Sequence, residues 1–452
     1  MKCNAQEPKR EVLVDAIMTG AQELEQVLWK FLMQDAQPLE AIEGKVLDGM
    51  RALGQKVLAA ACAVYVSRYP EASVSCRCGG QAKYVRRRRG QTKTQLDWIE
   101  MTRAYYLCEQ CGRGQYPLDQ QLGFCAGGIS AGLDKQLAYL GTMLPFAEAA
   151  HVLEEMSGVS VSANRVRFST EGLGALVAAD EQQAIEAAWD PHQPDPAPDE
   201  PLDPLYISMD GMQVLTREEG WREQLLGSIY TSREDPAPSA DQEPAIRAEE
   251  HSYYTSMGDV DAFGKGLWTE AQRRGLDAAK QLVVIGDGAH WIWRLADEHF
   301  PQAIQILDWY HVTTYVWKAA HAIYGETSDM GKRWAHKQLD ELWHGRVRQV
   351  MRRLRAHAAH KAVRQAISYF HNNRQRMRYP LFRQMGLQIG SGTIESGCKH
   401  VLIQRLTQAG MRWSQKRLQA VAKLRTRLKS QRWHETLNLR PPPSRSYRRS
   451  AA

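Results

Sequence analysis

Between Asp190 and Pro204 the chain reads DPHQPDPAPDEPLDP, six prolines and five acids in fifteen residues. Such a run buries no apolar surface, and each proline removes a backbone donor that a helix or sheet would use. The 452-residue chain must therefore fold on the two sides of an extended linker at 190–204. The side after it carries strand patterns. PLYISMDGMQVLT, QLLGSIYTS and HSYYTSMGD read as three strands, with REEGWRE as the first turn. DAFGKGLWTEAQRRG then reads as a helix, QLVVIGDG as a strand, AHWIWRLADEHFP as a helix stopped by Pro301, and AIQILDWYHV as a fifth strand. LVVIG and AIQIL are too apolar to face water on one side, which places them inside a sheet covered on both faces. The pattern predicts an α/β core of mixed strand direction over 205–311. A long, charged, all-helical insertion over 312–385 follows, then a second part of the core over 386–430 and a basic tail over 431–452.

The side before the linker is organised differently. Residues 1–70 carry apolar positions at helical spacing, as in VDAIMTGAQELEQVLWKFL. Residues 71–125 turn strand-rich between two cysteine pairs, Cys76 and Cys78 in CRCGG, then Cys108 and Cys111 in CEQCGRG. Four thiolates in two close pairs suit a tetrahedral structural Zn²⁺ site, in a zinc-ribbon-like module. The second pair has the usual C-x-x-C spacing, whereas the first is the tighter C-x-C. Cys3, Cys62, Cys125 and Cys398 have no such neighbour and are expected as small buried hydrophobes. Residues 126–189 return to helix, with PFAEAAHVLEEM, the turn SGVSVS, and a second helix from ANRVRF. Gly158 is placed to end the first helix and Ser160 or Ser162 to cap the second. As a helix-turn-helix, this segment would present Asn164, Arg165 and Arg167 to base edges and phosphates. As an ordinary helical hairpin, it would present them to water.

Charge and hydropathy narrow the class of partner. Lys+Arg 58 against Asp+Glu 51 gives a net +7, unevenly spread. Arg86, Arg87, Arg88 and Arg89 are consecutive, and from Lys399 to the end 14 Lys or Arg, Arg405 and Arg412 among them, face one acid. Clustering of this kind favours a polyanion such as double-stranded DNA over mere solvation. No apolar run approaches the ~20 residues of a spanning helix, and the N-terminus lacks a signal-peptide core. The chain is expected in the cytoplasm, with its eight cysteines reduced.

Three acids stand in chemically suggestive places. Asp210 and Asp287 occur in or just after apolar strands of one sheet, and Glu395 opens a helical stretch in IGSGTIESGCKH. Each has a plainer reading: Asp-Gly is a common turn dipeptide, and Glu395 suits a capping box on Ser391 or Gly392. If the three converge, they form a carboxylate site for two hard cations, Mg²⁺ or Mn²⁺, the usual device for in-line attack on phosphodiesters.

SMDG, GDGAHWIW, LDWYH and GLQIGSGTIESGCKHVLIQRL together resemble bacterial insertion-sequence transposases of the DDE class, closest to the Kra-type family and distantly akin to the Mutator group. CEQCGRGQYPLD and the helix-turn-helix share in the resemblance, which spans about residues 70 to 430. It implies a ribonuclease-H-like core with an all-helical insertion before the last acid, and a catalytic triad of Asp210, Asp287 and Glu395. Asp308 and His311 would be the (Cys/Asp)-x-x-His signature, supporting cleavage without being primary metal ligands. The activity implied is binding of terminal inverted repeats, metal-dependent strand cleavage and strand transfer, by at least two copies of the chain. A nuclease that cuts without joining, or a DNA-binding regulator with an inert core, are the rival readings.

Overall fold

Two long helices open the chain in this computed structural model, α1 (Glu7–Leu32) and α2 (Leu39–Val66). The structure describes residues 7–66, 71–125, 128–190, 204–236, 245–440 and 446–448. The linker expected at 190–204 thus lies outside the described residues apart from its two ends. Most of the tail beyond 440 does too, as do Cys3 and the Cys125 side chain. The described residues form two compact units. One runs to Thr170 and takes in Arg440 and the strand Ser446–Arg448; the other is Glu171–Leu439.

In the first unit, β1 (Ser73–Ser75), β2 (Gln81–Thr94), β3 (Asp97–Cys108) and β4 (Arg113–Gln115) form an antiparallel ribbon whose long hairpin is β2–β3. A short helix, α3 (Pro117–Gln121), carries Asp119 back to β3, where Arg103 reaches both its oxygens at 2.7 Å. Cys62 of α2 packs with Ile99, Met101 and Phe124. After β5 (Phe124–Cys125) and β6 (Ile129–Ser130) come α4 (Ala131–Met143), α5 (Phe146–Ser157) and α6 (Ala163–Ala188). Leu133, Leu137, Leu153, Val159 and Val166 close a core between these helices. Gly158 ends α5 in the left-handed conformation at φ 65°, and the Ser162 hydroxyl accepts from the Arg165 N–H. The expected helix, turn and helix therefore form with the expected caps.

The second unit begins inside α6, ahead of the linker. Gly174 on that helix lies against the backbone of Ala420, where a Cβ would sit 2.3 Å from a carbonyl oxygen. Asp180 and Glu181 pair with Arg427 and Lys423. These contacts are non-local, so the proline run could not reveal that the helix before it belongs to the core.

The core sheet has β7 (Leu205–Thr216), β8 (Gly220–Asp235), β9 (Ala245–Met257), β10 (Leu282–Gly286) and β11 (Ile304–Leu307), in the order β11-β10-β7-β8-β9. The first three pair antiparallel, and β10 and β11 run parallel to β7 through the helical crossovers α7 (Val260–Arg273) and α8 (His290–His299). This is the mixed sheet the sequence predicts, and Val283, Val284, Ile285, Ile306 and Leu307 are fully buried. The expected insertion is α9 (Trp309–Tyr324), α10 (Asp329–Trp343), α11 (Val347–Arg355), α12 (Lys361–Asn373) and α13 (Tyr379–Gln384). Val312, Val316, Leu354 and Phe370 share one core with the strands, so this segment is packed against the sheet rather than standing apart as a separate body. The chain closes with α14 (Gly392–Gly397), a π-helical turn at Cys398–Ile403, α15 (Gln404–Leu406), α16 (Gln415–Lys429) and α17 (Trp433–Asn438).

Candidate functional site

The strand register fixes where the acids lie. Ser208 of β7 stands opposite Ile285 of β10, and Gly286 opposite Leu307 of β11. Carried one or two residues further, the register sets Asp210, midway along β7, level with Asp287 and Asp308, which stand just past the carboxyl ends of the adjacent β10 and β11, the edge where open α/β sheets hold their ligands. Glu395 arrives on α14. Gly397 seats that helix on β8 and β9, because a Cβ there would already stand 3.1 Å from the Tyr253 ring and 3.4 Å from Leu226. Leu226 is the cross-strand partner of Asp210.

Asp210 is no turn residue, since the β7–β8 ladder continues through Met209 and Gly211 on either side. It is half-buried, with one oxygen taking the Gly211 N–H at 2.7 Å and the other 3.7 Å from the Cys398 thiol. Burial raises its carboxyl above the usual range, the Gly211 N–H opposes that, and the Asp287 carboxylate adds to the rise. Asp287 opens a turn. Its Oδ1 accepts from the Ala289 N–H at 2.8 Å, Gly288 follows at φ 100°, and Tyr369 of α12 donates its hydroxyl to the Asp287 carbonyl at 2.5 Å. Glu395 lies in the first turn of α14, but Ser391 makes no side-chain cap there, so the capping-box reading fails.

Asp308 is wholly buried and its carboxylate is fully engaged. Oδ1 accepts from the N–H of Tyr310 at 3.2 Å and of Ser391 at 2.8 Å; Oδ2 accepts from the N–H of His311 at 3.1 Å and meets its Nδ1 at 2.6 Å. An ionised carboxylate has about four lone-pair sites, and all are used. Burial pushes this carboxyl up, yet the His311 and Ser391 bonds outweigh it and hold it below its ordinary value. The bond to Asp308 in turn raises the His311 imidazole, against burial and with help from Asp287 and Glu395. One ligand atom each from Asp308, His311 and Glu395 lie within 4.8 Å of one another. With Asp308 saturated, its part is to cap α9, orient His311 and clip the Ser391 turn, and so the helix of Glu395, to the end of β11. The sequence sets Asp308 and His311 three residues apart, close enough to bond once the chain turns there. It carried no signal for the Ser391 bond, which joins residues 83 apart, nor for Cys398 beside Asp210.

The second cluster is made by four cysteines at one end of the β1–β4 ribbon. Cys76 and Cys111 sulfurs are 3.7 Å apart and Cys78 and Cys108 sulfurs 3.6 Å apart, and all four lie within 4.8 Å of one another. Both members of the tight C-x-C pair therefore take part. The Cys111 N–H lowers the Cys108 thiol to about 7. The Gly80 N–H acts the same way on Cys78, but the thiols of Cys111 and Cys76 outweigh it and push Cys78 up to about 12. Four sulfurs so close cannot all ionise without a cation among them. The arrangement suits Zn²⁺.

The basic residues divide. Arg86, Arg87 and Arg89 on β2 are exposed, and Arg88 lies over the Tyr105 ring at 4.0 Å. Asn164 is exposed in the first turn of α6 and accepts from Arg167 at 3.3 Å, with Arg165 half-buried beside it. Lys399 and Arg412 are exposed. Arg405 corrects the expectation: it is 1% exposed, with its guanidinium over the Trp413 ring at 5.2 Å, and offers no surface to a phosphate. Arg425 and Arg427 are also interior, bonded to Val401 and Asp180. Part of the basic C-terminal stretch thus builds the core, a distinction that charge counting cannot make.

The model of the uncharacterised protein family UPF0236 matches residues 39–436, a span that contains both clusters. The chain belongs to UPF0236. Among curated proteins, none matches it. Among the described residues of this UPF0236 chain, no helix is long and apolar enough to cross a membrane.

Proposed function

We propose that this chain is a DDE-type DNA transposase of an insertion sequence, cutting strands at the element's terminal inverted repeats and joining them to a target. One observation carries the reading. Asp210 from the middle of β7, Asp287 from the turn after β10 and Glu395 from α14 are acids of three separate elements, near enough that Asp287 acts on Asp210 and both Asp287 and Glu395 act on His311. UPF0236 is itself associated with transposase-like proteins. The mixed sheet, with three antiparallel strands followed by two parallel ones, is in keeping with a ribonuclease-H-like core, and the Kra-type assignment belongs to the same proposal.

The donor set fits hard cations. Asp210, Asp287 and Glu395 offer half-buried carboxylate oxygens, and oxygen donors are what Mg²⁺ or Mn²⁺ takes. Bound there, two such ions would lower the pKa of an attacking water and offset charge on the leaving oxygen. The chain's own residues do the rest. Asp210, Asp287 and Glu395 would hold the ions, Asp308 fixes the imidazole, and His311, with its raised proton affinity, offers positive charge beside the phosphate. The cysteine module, the start of α6 and the exposed arginines of β2 would hold duplex DNA. Joining two ends calls for at least two copies of the chain.

The test is one reaction: purified protein, labelled duplex carrying the two ends that flank its coding region, Mg²⁺ and a target plasmid. Cleaved ends joined to plasmid are expected. Cleavage without joining would leave a nuclease, and binding without cleavage a regulator.

A further inference from the structure

A cavity of about 980 Å³ opens beside the acid cluster, starting at Gly288, the residue after Asp287, and running between α8, α9 and α12. Its wall holds two tyrosines, Tyr315 and Tyr369, stacked at 3.9 Å with an interplanar angle of 14°. Lys318 stands over the Tyr315 ring at 5.6 Å, and Arg376 over the Trp293 ring at 4.4 Å. Gln365 and Asn372 bring exposed amides to the same rim. Trp293 is 6% exposed, and its Nε1–H is buried without a hydrogen-bond partner. A buried donor left this way is costly, so it marks a place where an acceptor belongs.

Flat aromatic faces, cations close to them and side-chain amides together recognise one kind of molecule. The rings stack a heterocyclic base, the amides read its edge, and the cations meet a phosphate. The pocket is also tied to the acids. Tyr369 holds the Asp287 carbonyl through its hydroxyl, and a Cβ on Gly288 would stand 2.5 Å from the Tyr369 ring. An occupant stacked on the tyrosine pair therefore bears on the loop that carries Asp287.

We propose that this cavity takes a single unpaired nucleotide of the DNA strand lying in the acid cluster, stacked against the Tyr315–Tyr369 pair with its phosphate toward Lys318. This rests on the DNA reading above, and base extrusion is how a protein gains access to one nucleotide of a duplex.

The test uses the full chain and two duplexes of one sequence, fully paired or with one bulged 2-aminopurine, without divalent metal. Quenching of the bulged 2-aminopurine and a preference of about tenfold or more for the bulged duplex are expected. Tyr315→Leu and Lys318→Ala should each remove quench and preference while affinity for the paired duplex holds. Lys318 is exposed, so its variant serves if Tyr315→Leu unfolds, which circular dichroism would report. Equal binding of both duplexes without quench overturns the pocket and leaves the DNA reading standing. Quench and preference that persist in Lys318→Ala and a folded Tyr315→Leu overturn it too. Saturable binding of free 2-aminopurine nucleotide as tight as that of the bulged duplex overturns it in favour of a small-molecule site. Failure to bind either duplex sinks both readings.

Discussion

The four bonds on Asp308 make it the residue whose loss should be felt furthest from its own position. Asp308→Asn keeps the shape but turns one oxygen into a donor facing N–H groups, so at least one bond is lost. Each hydrogen bond to a charged group contributes about 1.5–3 kcal/mol, and a drop on that scale is expected in urea unfolding. Cleavage should fail with it, because both His311 and the Ser391 turn before Glu395 lose their anchor. Intact cleavage in Asp308→Asn would mean that the clip is not needed. The three proposed metal acids should behave otherwise. Asp210→Asn, Asp287→Asn and Glu395→Gln should each cut cleavage by at least ~10²-fold, the scale of a lost charge-stabilising group. Stability and duplex binding should hardly change, and a gel-shift titration beside the cleavage assay separates the two. Any one variant that still cuts normally leaves the triad without that member.

At the scale of elements, the strands and helices of the core were legible because their patterns are local. Alternation in β7 and β8, unbroken apolar runs in β10 and β11, and Gly158 after α5 each need only a few neighbouring residues. The hidden parts are those that depend on distant partners: α6 belonging to the core through Gly174 and Ala420, the interior place of Arg405, and the π-helical turn after Glu395. The site was half legible for the same reason. Its acids stand in or beside locally patterned elements, whereas the Ser391 and Cys398 contacts are made only on folding. Two elements invite direct tests. The end of the ribbon that holds the four sulfurs has only a small apolar core, Ala82, Ala104 and Tyr106, so metal should supply much of the folding free energy there. Metal analysis should find one zinc per chain, and Cys108→Ser or a chelator should abolish cooperative melting of that unit. In the core, Glu270 of α7 bonds Ser252 and Arg273, and meets Arg432 at 3.2 Å. Burial raises its carboxyl, but Arg273 and Arg432 outweigh this and leave it below its ordinary value. Its stabilisation is therefore present above the unfolded carboxyl value of ~4.3 and is lost as pH falls through the lower folded value. Glu270→Gln should lower stability at neutral pH by roughly 1–3 kcal/mol, the cost of leaving buried donors poorly met. The gap from the native chain should close toward pH 3. A gap constant from pH 7 to 3 would show that charge is not the cause.

For the whole molecule, the uneven charge becomes measurable as salt dependence. Replacing Arg86, Arg87 and Arg89 together with Gln should weaken binding to all duplex sequences alike and flatten the plot of log affinity against log salt. The slope should change by about 0.9 for each phosphate that is no longer neutralised. A loss confined to one sequence would instead make these residues readers of bases. The order in which the acids occur along the chain has a consequence for its synthesis. Asp210, Asp287, Asp308 and the helices of 309–384 all leave the ribosome before Glu395, and the α16 segment that lies against β9 leaves later still. A nascent or prematurely stopped chain can already hold its sheet and its cysteine module while lacking the last carboxylate. If the chain works as proposed, such a product would grip DNA without cutting it, because the last of the proposed metal ligands is missing.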